Sequence, residues 1–430
     1  MALRDAFLLL TIVAALGLTV RWPFVGVLLW AWFTLMDPNQ LGWSFASAIP
    51  LNLVIAIVTI GSLLFSREER LGTFDSTFWL CVIFLAWLTF DSFFTIAPDY
   101  CWPLWNRTWK IFALGFLINA TANNSVRIHA LIWAVVIALF YYGFKGGLFT
   151  LLTGGGFHVI GPNDTEIGDN NQLALALLMS LPLANYLRMQ SANKWARYGL
   201  SAGMFFTFVS VLGSYSRGAF IGLGALALAW WLRSKHKFFS AIGAVIVAVP
   251  VFAFMPQSFY DRVDTIQTAS KDQSFHGRVI AWHVAYDYAR DHFPFGAGFS
   301  ALEQDAPFHV YYPNEDSHAA HSIYFQVLGD HGFIGLALYL AILFLAFRNT
   351  YRIARATRGV PELEWLHNLG RMIQLSLIVF CTAGAGLSMA YYDLFVICVL
   401  LLPAMYALCS ERVVNQREER LARRLQAEAA

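Results

Sequence analysis

Apolar runs of roughly 17–25 residues, the length that crosses a bilayer, recur along nearly the whole chain. They fall near residues 6–36, 48–65, 76–95, 104–120, 128–152, 171–188, 197–213, 218–232, 238–255, 322–347, 370–388 and 392–410. Backbone amides in hydrocarbon must find partners within their own segment, so such runs predict helices. The expected fold is an all-α polytopic membrane protein with about 12 transmembrane helices. The first run is too long for one straight span and contains Arg21-Trp22-Pro23, which predicts a kinked crossing or a hairpin. One long polar interval, 255–320, breaks the series. The predicted organisation is therefore helices 1–9 over 1–254, a large loop over 255–320, helices 10–12 over 321–410, and a mixed-charge, solvated tail over 411–430.

Composition agrees with the pattern. The chain is 58% hydrophobic and 13% charged, against about 25% charged residues in soluble proteins. Mean hydropathy is +0.55. Membrane lipids are thus expected neighbours, and no nucleic-acid partner is expected. Cys81, Cys101, Cys381, Cys398 and Cys409 lie mostly in apolar segments without paired spacing, which argues against a disulfide framework or zinc site. The N-terminus has a weak basic region at Arg4 and no small-residue cleavage site after Val20, so it reads as a retained span.

Placement of charge orients the chain. Arg67/Arg70, Arg188/Lys194/Arg197, Arg233/Lys235/Lys237, Arg348/Arg352/Arg355/Arg358 and Arg417/Arg420/Arg423/Arg424 all fall on one side when spans are counted. Short cytoplasmic loops collect Lys and Arg, so that side reads as cytoplasm. The large loop then faces the periplasm, and both termini lie inside if the first run crosses once.

The exceptions carry the chemistry. Arg107 and Lys110 sit at the outer end of their span, Lys145 lies near the outer end of another, and Arg217 opens a third. Ionisable groups in a span are costly and point to function, although snorkelling to headgroups accounts equally well for Arg107 or Lys110 alone. Four cations at one leaflet suit an anion held at that depth, such as the diphosphate of a polyprenyl-linked sugar. Gly154-Gly155-Gly156 and Gly161-Pro162-Asn163-Asp164 read as an outer turn. Asp169, Asn170 and Asn171 follow at a helix start, where N-capping or substrate contact would explain them.

Within the loop, His276–His292 has helical spacing, with Val279, Trp282, Val284, Tyr286 and Ala289 forming the expected apolar or amphipathic positions. Pro294, Gly296 and Gly298 end it. Such a helix would lie on the outer leaflet or roof a cavity. Arg278 in its first turn suits phosphate oxygens, or a salt bridge within the loop. The GxG of Phe295-Gly296-Ala297-Gly298-Phe299 lacks the strand–helix context of a nucleotide site. His318 and His321, with Glu315 and Asp316 upstream, allow a metal site, a general base, or ordinary polar residues at a helix start. His321 lies nearer the membrane boundary, where a lipid-linked substrate would react.

His321-Ser322 followed by Gly332-x-x-Gly335 resembles a signature of the bacterial O-antigen ligase family, within a superfamily that includes O-antigen polymerases. Ser214-Tyr215-Ser216-Arg217-Gly218 is similar to a second family element, and Arg278 upstream of Pro294-x-Gly296-x-Gly298 to a third. The resemblance spans roughly 160–400, whereas the N-terminal third matches in hydropathy only. The regions around Lys145-Gly146-Gly147 and Asp169-Asn170-Asn171 look closer to O-glycosylation ligases associated with exosortase systems.

The resemblance implies a glycosyltransferase in lipopolysaccharide biosynthesis, in the bacterial inner membrane with its active site facing the periplasm. The donor would be an undecaprenyl-diphosphate-linked glycan and the acceptor a hydroxyl of lipid A-core. His321 would be the general base, with Arg217 and Arg278 stabilising the departing diphosphate and Lys145, Arg107, Lys110, Asn170 and His318 binding substrate. Neither cofactor nor metal is required, because the diphosphate is already an activated leaving group. An O-antigen polymerase or protein O-glycosylation ligase would use the same donor. A lipid-linked glycan transporter is the rival from another class, but no paired broken helices mark two symmetric halves.

Overall fold

The computed structural model describes residues 2–41, 49–66, 72–234, 236–238 and 273–410. The expected span near 238–255, the start of the large loop, the tail 411–430, and Arg67, Arg70 and Lys235 lie outside the described residues. Among the described residues every regular element is helical. Four helices of the described residues are long and apolar enough to cross a membrane by length and composition: Ser125–Leu152, Ile323–Ala356, Pro361–Gly386 and Asp393–Ser410. Shorter apolar helices cover Pro23–Met36, Leu51–Phe65 and Ser76–Ser92. Many large apolar side chains face outward, among them Phe65 at 91% exposure and Leu152 at 78%. Soluble proteins rarely expose apolar surface on this scale, and a hydrocarbon surround accounts for it.

We number the helices α1 (Ala2–Arg21), α2 (Pro23–Met36), α3 (Leu51–Phe65), α4 (Ser76–Ser92), α5 (Pro98–Thr121), α6 (Ser125–Leu152), α7 (Asn170–Gln190), α8 (Lys194–Gly213) and α9 (Arg217–Arg233). After the gap come α10 (Gln273–Asp291), α11 (Asp305–Tyr311), α12 (Ile323–Ala356) and α13 (Glu364–Ala383), then α14 (Asp393–Ser410). The first apolar run breaks at Trp22, where Pro23 opens α2. The fold-back is sharp enough that a side chain at Gly26 would strike Thr19 and Thr59.

Short polar residues start several helices because their side chains accept the orphan N–H groups of a first turn. Asp75 Oδ1 accepts from Thr77 and Phe78, and Asn124, Asp169, Asn193 and Ser216 act likewise. α7 is enclosed by its neighbours: every residue from Leu173 to Leu187 is buried. α6 and α8 approach closely because small residues line their seam. A side chain at Gly147 would lie 2.1 Å from the Phe206 carbonyl oxygen.

Polar contacts between helix termini gather at two ends. At one end Asn349 Nδ2 donates to Asp75 Oδ2 at 3.2 Å and Arg352 Nη2 to the Tyr406 hydroxyl at 2.9 Å. Arg188, Arg233 and Arg355, in the last turns of α7, α9 and α12, share that end. At the other end Asn170 Nδ2 donates to the Ser214 carbonyl at 2.7 Å, and the His321 N–H to Ser388 Oγ at 2.9 Å. The described part of the large loop folds onto this second end.

That loop has its own core. Ile280, Ala281, Val284, Ala285 and Tyr288 of α10 pack with Ala297, Ala301, Leu302 and Phe308. Of the positions named from sequence, Val284 and Ala289 are buried, whereas Tyr286 points outward at 47% exposure. Trp282 stacks on Phe325 with 4.9 Å between ring centroids, and its Nε1 donates to the Ala320 carbonyl at 2.7 Å. α10 thus docks its apolar face on α11 and the start of α12.

Candidate active site

Gly332 interrupts α12 with φ 68° and ψ −171°, a backbone shape that disfavours residues with a Cβ. A Cβ there would lie 2.7 Å from the Pro294 oxygen and 2.8 Å from the Phe295 oxygen. One at Gly296 would lie 2.2 Å from the Asp330 oxygen. The two glycine motifs are therefore the two faces of one joint. Across it, Ala297 N donates to Gly329 O and Gly298 N to Asp330 O, both at 2.9 Å.

Buried polar groups lock the joint to α4. Asp91 Oδ1 accepts from Gly296 N at 3.0 Å, while Asp91 Oδ2 lies 2.9 Å from His331 Nδ1. Trp87 Nε1 donates to the His331 carbonyl at 3.0 Å. Asp330 accepts from Ser300 N at 3.0 Å and from the Tyr391 hydroxyl at 3.1 Å. Buried carboxylates persist where several donors meet them. This joint sets the position of α10, and hence of Arg278, relative to α12.

His321 stands immediately before α12, half-buried, with φ 43°. Left-handed backbone is uncommon outside glycine and costs energy unless the surroundings impose it. The bond from its N–H to Ser388 supplies one such constraint. Arg278, Asp169 and His318 act electrostatically on its imidazole. Burial, then the Arg278 and His318 charges, hold its pKa below the ordinary histidine value, with Asp169 opposing. Near neutral pH the ring is therefore unprotonated, as a base must be.

Arg278 reaches toward the turn after α13: its Nη1 lies 3.7 Å from where a side chain on Gly386 would begin. The same turn meets α9, since a side chain on Gly218 would lie 3.3 Å from the Ala383 oxygen. Ser214-Tyr215-Ser216 is a tight entry to α9, with Tyr215 at φ 54° and Ser216 Oγ accepting from Ala219 N at 3.1 Å. It sets Arg217 as the first residue of α9. His321 and Arg278 thus border one corner, and α9, which Arg217 opens, packs against the same turn.

The remaining candidates take other places. His318 packs on α10, where a side chain at Gly277 would lie 2.5 Å from its Cδ2. Glu315 faces His276 at 3.8 Å instead of either His318 or His321. Asn170 ties α7 to the 214–216 turn, and Asp169 caps α7 while also facing His321. Lys145 is exposed on α6 and forms no hydrogen bond or ion pair among the described residues. Arg107 ion-pairs with Glu166 and, at 3.5 Å, with Asp393. Arg107 and Lys110 line a cavity of their own between α2, α5 and the 164–167 segment. Ser388 and Asp91 were not among the residues expected from sequence. The Gly384-Ala385-Gly386 turn before Ser388 was the available signal.

Residues 202–340 match a family model described as O-antigen ligase. A second model, described as a family of unknown function (DUF5935), matches residues 3–192. No curated protein matches the chain.

Proposed function

We propose that this chain, a member of the O-antigen ligase superfamily through its domain at residues 202–340, transfers a glycan from a polyprenyl diphosphate to a lipid A-core hydroxyl. The convergence of His321 and Arg278 at one helix mouth carries the reading. The acceptor hydroxyl attacks the anomeric carbon and gives its proton to the His321 imidazole. The bond from that carbon to the diphosphate oxygen breaks on the opposite face, so configuration inverts. Negative charge then accumulates on the leaving diphosphate. Fixed guanidinium groups at Arg278 and Arg217 stabilise it there without proton transfer. The activated leaving group makes nucleotide or metal assistance unnecessary to the balance of the reaction.

The same reading orients the molecule. The helix ends bearing Arg188, Arg233 and Arg355 face the cytoplasm by the positive-inside tendency, and the His321 end faces the periplasm of the inner membrane. Arg107 already meets two carboxylates, so the diphosphate role falls to Arg217 and Arg278. Lys145 contributes at most a point charge.

The test is transfer by purified protein supplied with lipid-linked donor and rough lipopolysaccharide, without ATP and in the presence of chelator. A ladder of extended lipopolysaccharide is expected, and it should vanish in His321→Ala. Elongation of the donor alone would instead identify a polymerase. Donor binding with no transfer at all would favour a transporter.

A further inference from the structure

The cavity around Arg107 has a composition that the transfer chemistry above does not use. It measures about 420 Å³ and is bordered by the end of α2, the start of α3, the first half of α5, the 164–167 segment and Tyr392-Asp393. Small-molecule sites usually occupy about 300–1,000 Å³. Two cations, Arg107 and Lys110, meet four carboxyl groups there: Asp37, Asp164, Glu166 and Asp393. The balance is negative, and Arg107 is already engaged by two of the acids. A diphosphate would be repelled.

A neutral polyhydroxyl compound fits this lining. Each sugar hydroxyl both donates and accepts, so neighbouring carboxylates and amine or guanidinium groups can hold one ring from alternate sides. Two lining groups point the same way. The Tyr392 hydroxyl and Asn52 Oδ1 are buried and have no hydrogen-bond partner among the described residues. Buried polar atoms are normally partnered, and a ligand hydroxyl would supply the missing bonds. Burial also pushes the Asp37 carboxyl up to about 6, with Arg107 opposing.

The cavity is also tied to the reaction corner by two short stretches of chain. Glu166 lies three residues before Asp169, which acts on His321. Asp393 lies five residues after Ser388, which holds the His321 N–H. Even fully extended, those stretches span at most about 11 and 18 Å. A saccharide chain with one ring in the cavity would therefore bring a neighbouring ring toward His321. Gly161 holds the first stretch in a closed loop: its N–H donates to the Gly168 carbonyl at 3.1 Å.

We propose that the cavity lined by Asp37, Arg107, Glu166, Tyr392 and Asp393 is a saccharide-binding subsite that holds one neutral sugar ring of a glycan substrate. This rests on the glycosyl-transfer reading, and the ring belongs to either the donor or the acceptor glycan. The experiment separates those sources and separates the subsite from the reaction. Tyr392→Phe, Glu166→Gln and Asp37→Asn are assayed with donor and acceptor varied in turn. Loss of one hydrogen bond to a ligand predicts a KM about tenfold higher for one glycan, with kcat little changed. The substrate whose KM rises is the one that occupies the cavity.

Binding is read independently of turnover in His321→Ala protein. Saturation-transfer NMR is recorded with core oligosaccharide freed from rough lipopolysaccharide and with glycan released from the donor lipid. One of the two should show transfer, and adding Tyr392→Phe should weaken it. Tyr392→Phe removes a single oxygen, so it keeps the test valid if a carboxylate variant folds poorly. Unchanged KM for both substrates, together with unchanged NMR binding, would overturn the subsite while leaving the transfer reading intact. Absence of transfer by the wild-type protein would instead sink the transfer reading, and the NMR experiment would still decide the cavity.

Discussion

His321 and His331 flank the first turns of one helix and share a side chain, yet their surroundings give them opposite capacities. His331 has no exposed surface and lies 2.9 Å from Asp91, which is equally buried. The loop backbone at 294–298 and Trp87 close around it. An imidazole sealed in this way cannot meet a substrate hydroxyl, and its work is to hold the joint between α4, α12 and the loop. His321 is half-buried at the mouth of the helix, with Arg278, Asp169 and His318 around it. A general base needs both reach and the unprotonated form. Only the mouth offers both.

The largest expected effect tests that contrast directly. His321→Ala should reduce transfer by about 10²–10⁴-fold, the usual contribution of a general base, while the thermal midpoint in detergent barely moves. His331→Gln should do the reverse, lowering the midpoint with a smaller loss of rate per folded molecule. A His331→Gln protein that melts normally but is as inactive as His321→Ala would exchange the two roles.

Arg278→Lys and Arg217→Lys sharpen the comparison from the cation side. Lysine keeps the charge but loses the planar fork that binds two phosphate oxygens together. Each change should slow transfer by about 10²-fold, the scale of one lost transition-state donor, measured at matched expression. Lys145→Arg should be tolerated. Near-normal rates in both Arg→Lys variants would remove these residues from the diphosphate site.

Asp91→Ala probes the sealed side. It strips partners from His331 and from the Gly296 N–H, and an unsatisfied buried group costs about 1–3 kcal/mol. The loss should appear in thermal unfolding, with reduced protection of 293–300 in hydrogen exchange. An unchanged midpoint would mean the joint does not depend on this pair.

The smallest effect is a shift along the pH axis. Because burial and Arg278 lower the His321 pKa, the acid limb of kcat/KM should lie below the ordinary histidine value. Activity is lost as pH falls through that pKa, since the protonated ring cannot accept a proton. Asp169 favours the charged form, so Asp169→Asn should move the limb to lower pH. A limb that stays in place or moves upward would remove His321 as the titrating base. Orientation can be checked separately with single cysteines at the exposed positions Asn314 and Arg358, which should label from opposite sides of intact cells.

Much of the helical framework was legible in the chain, because helix formation rests on local facts: apolar run length, a cap such as Asp169, and the break at Trp22-Pro23. The His321 and Arg278 candidates were legible too, since each lies in a recognisable local motif. Which of the apolar positions of α10 are buried was not legible, because packing against α11 and α12 decides it.

What the sequence determined by itself was the membrane class, most helix positions and the two glycine motifs. Only the tertiary structure decided what those motifs do. That Gly296 and Gly332 are faces of one joint depends on backbones meeting within van der Waals distance, which no spacing along the chain encodes. The partners of Arg107, Glu166 and Asp393, come from a loop and a helix start far away in sequence. Ser388 under His321 is likewise a non-local contact. Periodicity reports which face of a helix is apolar; which residue finally meets a charge is settled by how the helices close around one another.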